Sequence, residues 1–449
     1  MDPIAELNEL TGEVAALGSH LFRVRVPFVR ELRRYSWPKF RSDLVAGATL
    51  TLVSIPQAIG FSLILNLPPT PVIASLMIGG FVGSLFFSSR HHVFGPTSSI
   101  SLIVAATVAE YTHATGLEPL QLAVYLAFMI GVIQLMAGLL NFGEITKFIS
   151  RSVVVGYSTA IGVLLIASQI HNVLGYATDI QVSFVRNMGG VFDHVFTGRV
   201  DLWAIGIGVA TLGIFLLLQR LRPKWPEALI GLALLGIAAR VYTLHNPHPP
   251  FLMVKDEGAL TAVIPAFAGF QFAPNGVHRL VPELAGTAVA IAILGMLEAA
   301  AITKGLAARS GQKIEPNQEL IGMGAANMAC ALFGAVPGSS SFARSAVNYQ
   351  SGAASQLSSM MSSLVVLVVL LFVTPIFNYI PVAALAAHLI RIGVKMINRH
   401  QVRVACRSTR ADAIVFLVTL LSALLLKLDT AIYVGIGVAL ALFLQQTST

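Results

Sequence analysis

The chain has 449 residues, of which 55 % are hydrophobic and only 11 % charged. Soluble domains carry about 25 % charged residues, so disorder, collagen, coiled coil and a small disulfide scaffold are excluded. The two cysteines, Cys330 and Cys406, allow one bridge at most. A polytopic membrane protein remains, and its net charge of +8 reads as basic loops on one membrane face, with no nucleic-acid partner.

Residues 1–42 are polar and lack the short apolar core of a signal peptide. Ile4, Leu7, Leu10, Val14 and Leu17 fall at helical spacing, which predicts a short amphipathic helix on the cytoplasmic side. Apolar runs follow at 43–63, 72–87, 96–110, 121–141, 152–170, 202–219 and 227–243. A linker over 244–284 contains the proline-bearing stretch 259–274, placed at the outer interface. Seven more runs follow at 285–303, 317–334, 340–351, 358–377, 381–397, 411–426 and 430–445, within a second unit over 285–449. With an inside N-terminus and every run crossing, 22 basic residues fall inside and 6 outside. That bias predicts an inner-membrane protein with both termini in the cytoplasm.

The first and eighth runs begin about 242 residues apart. GPTSSISLIVA at 95–105 and GSSSFARSAVN at 338–348 are offset by 243. Seven is odd, so the second copy enters from the opposite side: an inverted repeat, 43–243 against 285–449. The fold expected is all-α, with two half-helices in the third and tenth segments meeting at mid-membrane. Gly95-Pro96 breaks a preceding helix, and Thr97, Ser98 and Ser99 can cap a new one. The stretch before Glu110 is too short to cross about 30 Å of hydrocarbon. Opposed helix N-termini present unpaired N–H groups and partial positive charge, which is an anion site.

Arg344 falls in the first turn of the tenth segment. An arginine at the bilayer centre costs about 2.5–3.5 kcal/mol, and it adds positive charge to a positive helix end. A bound anion offsets both; bonding to carbonyls is the plainer alternative. Glu298 is the one acidic residue placed within a span. Either it binds a coupling proton, or it ties helices together, for example by pairing with Arg344. Gln57 and Phe61 lie one turn apart after Pro56 and could supply an amide and an aromatic wall.

At these residues the chain resembles the sulfate permease (SulP) anion transporter family. The stretches are IPQAIGFSLILNLPP (55–69), SRHHVFGPTSSISL (89–102) and EPNQELIGMGAANMACALFGAVPGSSSFARSAVNYQSGA (315–353). The resemblance implies fourteen segments in core and gate domains, with the anion bound between the third and tenth and carried by an elevator-like motion. It implies Gln57, Phe61, Thr97 and Ser98 as pocket residues, with the amides of Phe342 and Ala343 and the side chain of Arg344. Glu298 matches an acidic position that proton-coupled members are thought to use. A homodimer is implied, and no cofactor or metal. Two departures stand out: Val72-Ile73-Ala74 replaces Gly-Leu-Tyr, and Ala343 replaces a serine before the arginine. Most members carry a cytoplasmic STAS domain after the last segment; with no STAS domain within 1–449, the expectation is either a membrane-only member or a shortened chain.

The function expected is secondary transport of a small anion, sulfate first, with proton or sodium symport. Bicarbonate, chloride or dicarboxylate transport or exchange, and an anion channel, are the alternatives. An enzyme is discounted: H-E-x-x-H and G-x-S-x-G are absent, and serines 339–341 have no base nearby in sequence.

Overall fold

The computed structural model describes residues 26–33, 35–143, 150–176, 184–222, 225–246, 248–258, 260, 265–269 and 277–448. The amphipathic helix expected over the first residues, and most of 259–274, lie outside them.

A helix lies on each of the fourteen apolar runs. In chain order they are α2 (Trp37–Leu65), α3 (Pro69–Phe86), α4 (Ser98–Thr115), α5 (Pro119–Leu139) and α6 (Arg151–Leu174) after a short α1 (Pro27–Leu32). Then come α7 (Phe184–Phe196), α8 (Leu202–Leu221), α9 (Glu227–His245), the five-residue α10 (Val254–Gly258), α11 (Val277–Ser310) and α12 (Pro316–Leu332). The chain closes with α13 (Phe342–Gln350), α14 (Leu357–Phe377), α15 (Val382–Met396), α16 (Arg399–Arg407), α17 (Arg410–Leu425) and α18 (Leu428–Ser448). Two strands, β1 (Phe94–Gly95) and β2 (Ser339–Ser340), interrupt this order. Among the described residues, eight helices are long and apolar enough to cross a membrane.

Local sequence sets the boundaries. Proline occupies the first turn of α2, α3, α5 and α12, where its missing N–H costs nothing. α6 and α8 are capped by the side chains of Ser150 and Asp201.

Helix packing sorts the elements into two sets. α5 lies along α12, and α14 lies along α2 and α3, with β1, β2, α4, α11 and α13 in the same set. α6 lies along α15 and α17, and α8, α9 and α18 complete the second set. The first set draws on both halves of the chain, with α5 against α12 and α14 against α3. Exposed apolar side chains such as Val209, Leu216, Ile237 and Leu444 clothe α8, α9 and α18.

Small residues sit at the closest crossings, as expected of Gly156, Gly162, Gly322 and Gly324. A Cβ on Gly156 would lie 2.7 Å from Phe416 O, and one on Gly322 would lie 2.5 Å from the Phe87 ring. One on Gly324 would strike the backbone of Leu135. Gly162 and Gly393 meet reciprocally, each Cβ position lying 2.8 Å from the other's carbonyl oxygen. Both cysteines are free, Cys330 buried and Cys406 exposed.

Candidate functional site

β1 and β2 pair antiparallel, Phe94 opposite Ser340 and Gly95 opposite Ser339. A helix leaves each strand: α4 after β1 and α13 after β2. Because the strands are antiparallel, the two helices depart in opposite directions with their N-termini at the ladder. Thr97 caps α4, its side chain accepting from Ile100 N at 3.4 Å. Ser341 caps α13 in the same way, accepting from Arg344 N at 3.4 Å. The first-turn N–H groups of both helices have no partner within their helix. α4 runs 18 residues, past Glu110 to a left-handed Gly116, whereas α13 has only 9.

Arg344 is 1 % exposed. Its Nη2 donates to Pro96 O at 2.8 Å, and its Nε has no acceptor among the described residues. The side chain leans back toward its helix N-terminus, as helical side chains do, and lies over Gly95. A Cβ on Gly95 would come within 2.6 Å of Nη1, and Gly95 itself has φ +151°. Only glycine serves at this point of β1. The guanidinium thus bonds to a carbonyl of the opposite half of the site, and one buried N–H remains unanswered.

Glu298 reaches the ladder from α11: Ser339 Oγ donates to its Oε2 at 3.0 Å. It does not pair with Arg344. Asn327 of α12 clamps the residue before β2, accepting from Gly338 N at 2.9 Å and donating to Gly338 O at 3.1 Å. The same Nδ2 donates to Gln134 Oε1 at 2.9 Å, and Gln134 Nε2 is buried without a partner among the described residues.

The remaining predicted residues gather unevenly. Phe61 is 4 % exposed and belongs to the main apolar core, while Gln57 on the same helix is half-buried. Ser98 is buried, and its Oγ donates to Met396 Sδ of α15 at 3.1 Å, bridging the two helix sets. The Phe342 side chain is 61 % exposed, and Ala343 is also exposed. A cavity of about 1100 Å³ lies between the sets, lined by Ser62, Leu102, Ala105, Gln169 and His171 among others. It includes none of the predicted site residues, but Ser62 follows Phe61 directly and Leu102 lies one turn beyond Ser98.

Two expectations need correction. Glu298 is not alone: Asp43 (0 % exposed) and Glu319 (2 %) are also buried carboxylates on helices. Asp43 accepts from Ala354 N, Ser355 N, Ser355 Oγ and Tyr35 Oη. Burial and the Asp43 charge together hold the Tyr35 hydroxyl well above its ordinary value. Nor do the serines lack a base: His92 Nε2 lies 2.5 Å from Ser340 Oγ, and its Nδ1 is bonded to Glu319. Neither residue was legible as a partner, because the pairs lie 248 and 227 positions apart in sequence. Among the described residues no cluster of histidine, cysteine, aspartate or glutamate could hold a metal.

Comparison with known proteins bears on the whole arrangement. The chain is 31 % identical over 422 residues to a putative sulfate transporter of Bacillus subtilis, covering 94 % of this chain and 77 % of that protein. It is 29 % identical to the chloroplastic sulfate transporter 4.1 of Arabidopsis thaliana, covering 94 % of this chain but only 61 % of that protein. The structure superposes on the murine Solute Carrier 26 family member A9 anion transporter at TM-score 0.82 and 20 % identity, covering 94 % of this chain and 71 % of that one. It matches the transmembrane domain of a cyanobacterial bicarbonate transporter at TM-score 0.73 and 21 % identity, covering 90 % and 98 %. Those two likenesses establish the fold. The sulfate permease family profile matches residues 40–419, which take in the ladder, both helix N-termini and Arg344, and so the chain is an integral membrane protein of the sulfate permease family.

Proposed function

We propose that the chain is a secondary active transporter of a small inorganic anion, sulfate first. The observation that carries this is the antiparallel ladder, with two capped helix N-termini at it and a buried arginine behind it. Partial positive charge at two helix ends favours a negative ligand. The buried guanidinium adds a full charge whose isolation would otherwise cost several kcal/mol. The anion lies against Thr97, Ser98 and the amides of Phe342 and Ala343, with Gln57 and Phe61 as walls and Arg344 supplying field and its free N–H.

Fourteen membrane segments in two inverted repeats carry this site in a core set that moves against a gate set, in the manner of an elevator. The contact of Ser98 with Met396 crosses between the sets and breaks in that motion. Glu298 carries the coupling proton: it is fastened to β2 through Ser339, so its charge is felt where the anion binds. Transport, not catalysis, is the activity, and a homodimer in the cell membrane is the working form.

Purified protein in liposomes tests this. Labelled sulfate should enter faster under an inward proton gradient than under a sodium gradient or none. A panel of bicarbonate, chloride and dicarboxylate ranks the substrates, and single-channel currents would replace transport by a channel. No uptake of any small anion rejects the reading.

A further inference from the structure

Residues 92–96 and 338–345 are joined along a seam longer than the ladder itself. Ser341 N donates to Val93 O at 3.1 Å, and Val93 N donates to Ser345 Oγ at 3.1 Å. One link in the seam is an ionisable side chain that anion transport has not required. His92 is 1 % exposed, its ring stacked on Phe87 at 3.9 Å between centroids. Its carbonyl accepts from Ser359 Oγ at 3.1 Å, its Nδ1 is bonded to Glu319 Oε2, and its Nε2 meets Ser340 Oγ at 2.5 Å.

The bonding places the Nδ1 proton. Glu319 Oε1 already accepts from Ser88 N at 2.8 Å, Ser88 Oγ at 2.6 Å and Ser89 N at 2.8 Å. A carboxylate taking that many donors is an acceptor only, so Nδ1 of His92 donates to it. In the neutral ring Nε2 is then the acceptor and Ser340 Oγ donates to it in preference to Met323 Sδ, which lies farther off at 3.6 Å. Adjacent strand residues point to opposite faces: Ser339 goes to Glu298 and Ser340 to His92. β2 is therefore held on both faces, and the next residue, Ser341, caps α13.

We propose that His92, locked by Glu319, is a positioning residue for the anion site: through Ser340 it sets where the first-turn amides of α13 lie. This rests on those amides being anion ligands, as the transport reading holds. Hydrogen bonds weaken steeply with misalignment, so a shifted β2 loosens the anion without touching it. A merely structural histidine would lower the melting temperature and leave affinity alone.

The test uses the full chain in detergent, with variants Ser340→Ala, His92→Phe and His92→Gln. Phenylalanine keeps the stacking on Phe87 and loses both hydrogen bonds, whereas glutamine can still reach Ser340. Hydrogen exchange of the amides in 341–345 is read without anion, and labelled sulfate binding is read separately. Ser340→Ala and His92→Phe should each speed exchange and weaken binding by about tenfold, the scale of one unsatisfied buried group. His92→Gln should recover most of both losses relative to His92→Phe. A lowered melting temperature with unchanged sulfate affinity overturns the proposal. If the unaltered protein binds no anion, the transport reading fails, and the exchange data still judge this one: unchanged exchange in Ser340→Ala overturns it. Should His92→Phe not fold, Ser340→Ala, which deletes one oxygen, carries the test.

Discussion

Replacing Arg344 by methionine separates the two roles a buried arginine can have. The guanidinium makes one hydrogen bond, to Pro96 O at 2.8 Å, and no ion pair with it is found among the described residues. Losing a hydrogen bond to a charged group costs about 1.5–3 kcal/mol. Against this, exchanging buried charge for apolar volume is neutral or stabilising by about 1–4 kcal/mol. Removing a cation from a helix N-terminus gains about 0.3–1 kcal/mol more. These contributions run from about 2.7 kcal/mol less stable to about 3.5 kcal/mol more stable and nearly cancel at mid-range, so the anion-free fold of Arg344→Met should stay close in stability to the original. Anion binding should weaken. One charge-assisted contact of about 1.5–3 kcal/mol corresponds to roughly 10- to 150-fold in affinity. Thermal unfolding without anion, and sulfate titration by calorimetry, read the two quantities on one sample. Arg344→Lys should fall between, because the charge persists and the planar fork does not. If Arg344→Met unfolds far more easily yet binds sulfate as before, the arginine is a strut for Pro96 and the site reading fails.

Glu298→Gln should preserve sulfate exchange at equal pH and remove the acceleration by a proton gradient; a retained gradient effect would clear Glu298 of coupling. Gly393→Ala places a methyl 2.8 Å from Gly162 O, an overpacking expected to cost about 1–3 kcal/mol in a melting experiment, and an unchanged melting temperature would contradict the tight α6–α15 crossing. Asp43→Ala leaves the Ala354 and Ser355 amides without their acceptor, so a loss of about 3 kcal/mol or more is expected in denaturant unfolding. His91 is pushed below its ordinary value of 6.5 by burial, with Arg90 adding to it. Folding thus favours its neutral form: the contribution is complete above pH 6.5 and declines as pH falls below it. Melting temperatures of His91→Phe should fall less steeply over that acid range than those of the original, and parallel slopes would refute the effect.

The helices on the fourteen apolar runs were legible because each needs little beyond its own sequence: an apolar run, often a proline or hydroxyl at the start, and in α2, α4, α6, α9 and α14 a glycine or asparagine at the end. Two short Gly-Ser stretches recur at one spacing, and a strand followed by a helix start lies at each. Ladder register, helix sorting and carboxylate partners were not legible, since each is decided by residues hundreds of positions apart. Glu319 illustrates the difference. It sits in the first turn of α12, where an acid is comfortable beside the dipole without any other partner. Only the fold brings residues 88, 89 and 92 to it and turns it into the acceptor for four donors.

The same contrast explains why the position of Arg344, and carbonyl bonding as one option for it, could be read from sequence while the particular carbonyl could not. A helix start and an arginine in its first turn can be read from nine letters. That the side chain turns back across the ladder depends on Gly95, whose missing Cβ leaves the space the guanidinium fills. Each half of the site is thus completed by the other: α13 supplies the cation, and β1 supplies both the room for it and the Pro96 carbonyl that holds it. An arginine held this way stays with the ladder, so under the proposed transport an anion bound there would travel with α4 and α13 together. A substitution at Gly95 should accordingly damage binding as severely as one at Arg344. Gly95→Ala forces the strained φ of +151° on a residue with a Cβ and drives that Cβ into Nη1 at 2.6 Å. Sulfate affinity should fall by at least the tenfold lost with the guanidinium. An alanine at this position with full affinity would mean that the two halves do not depend on each other.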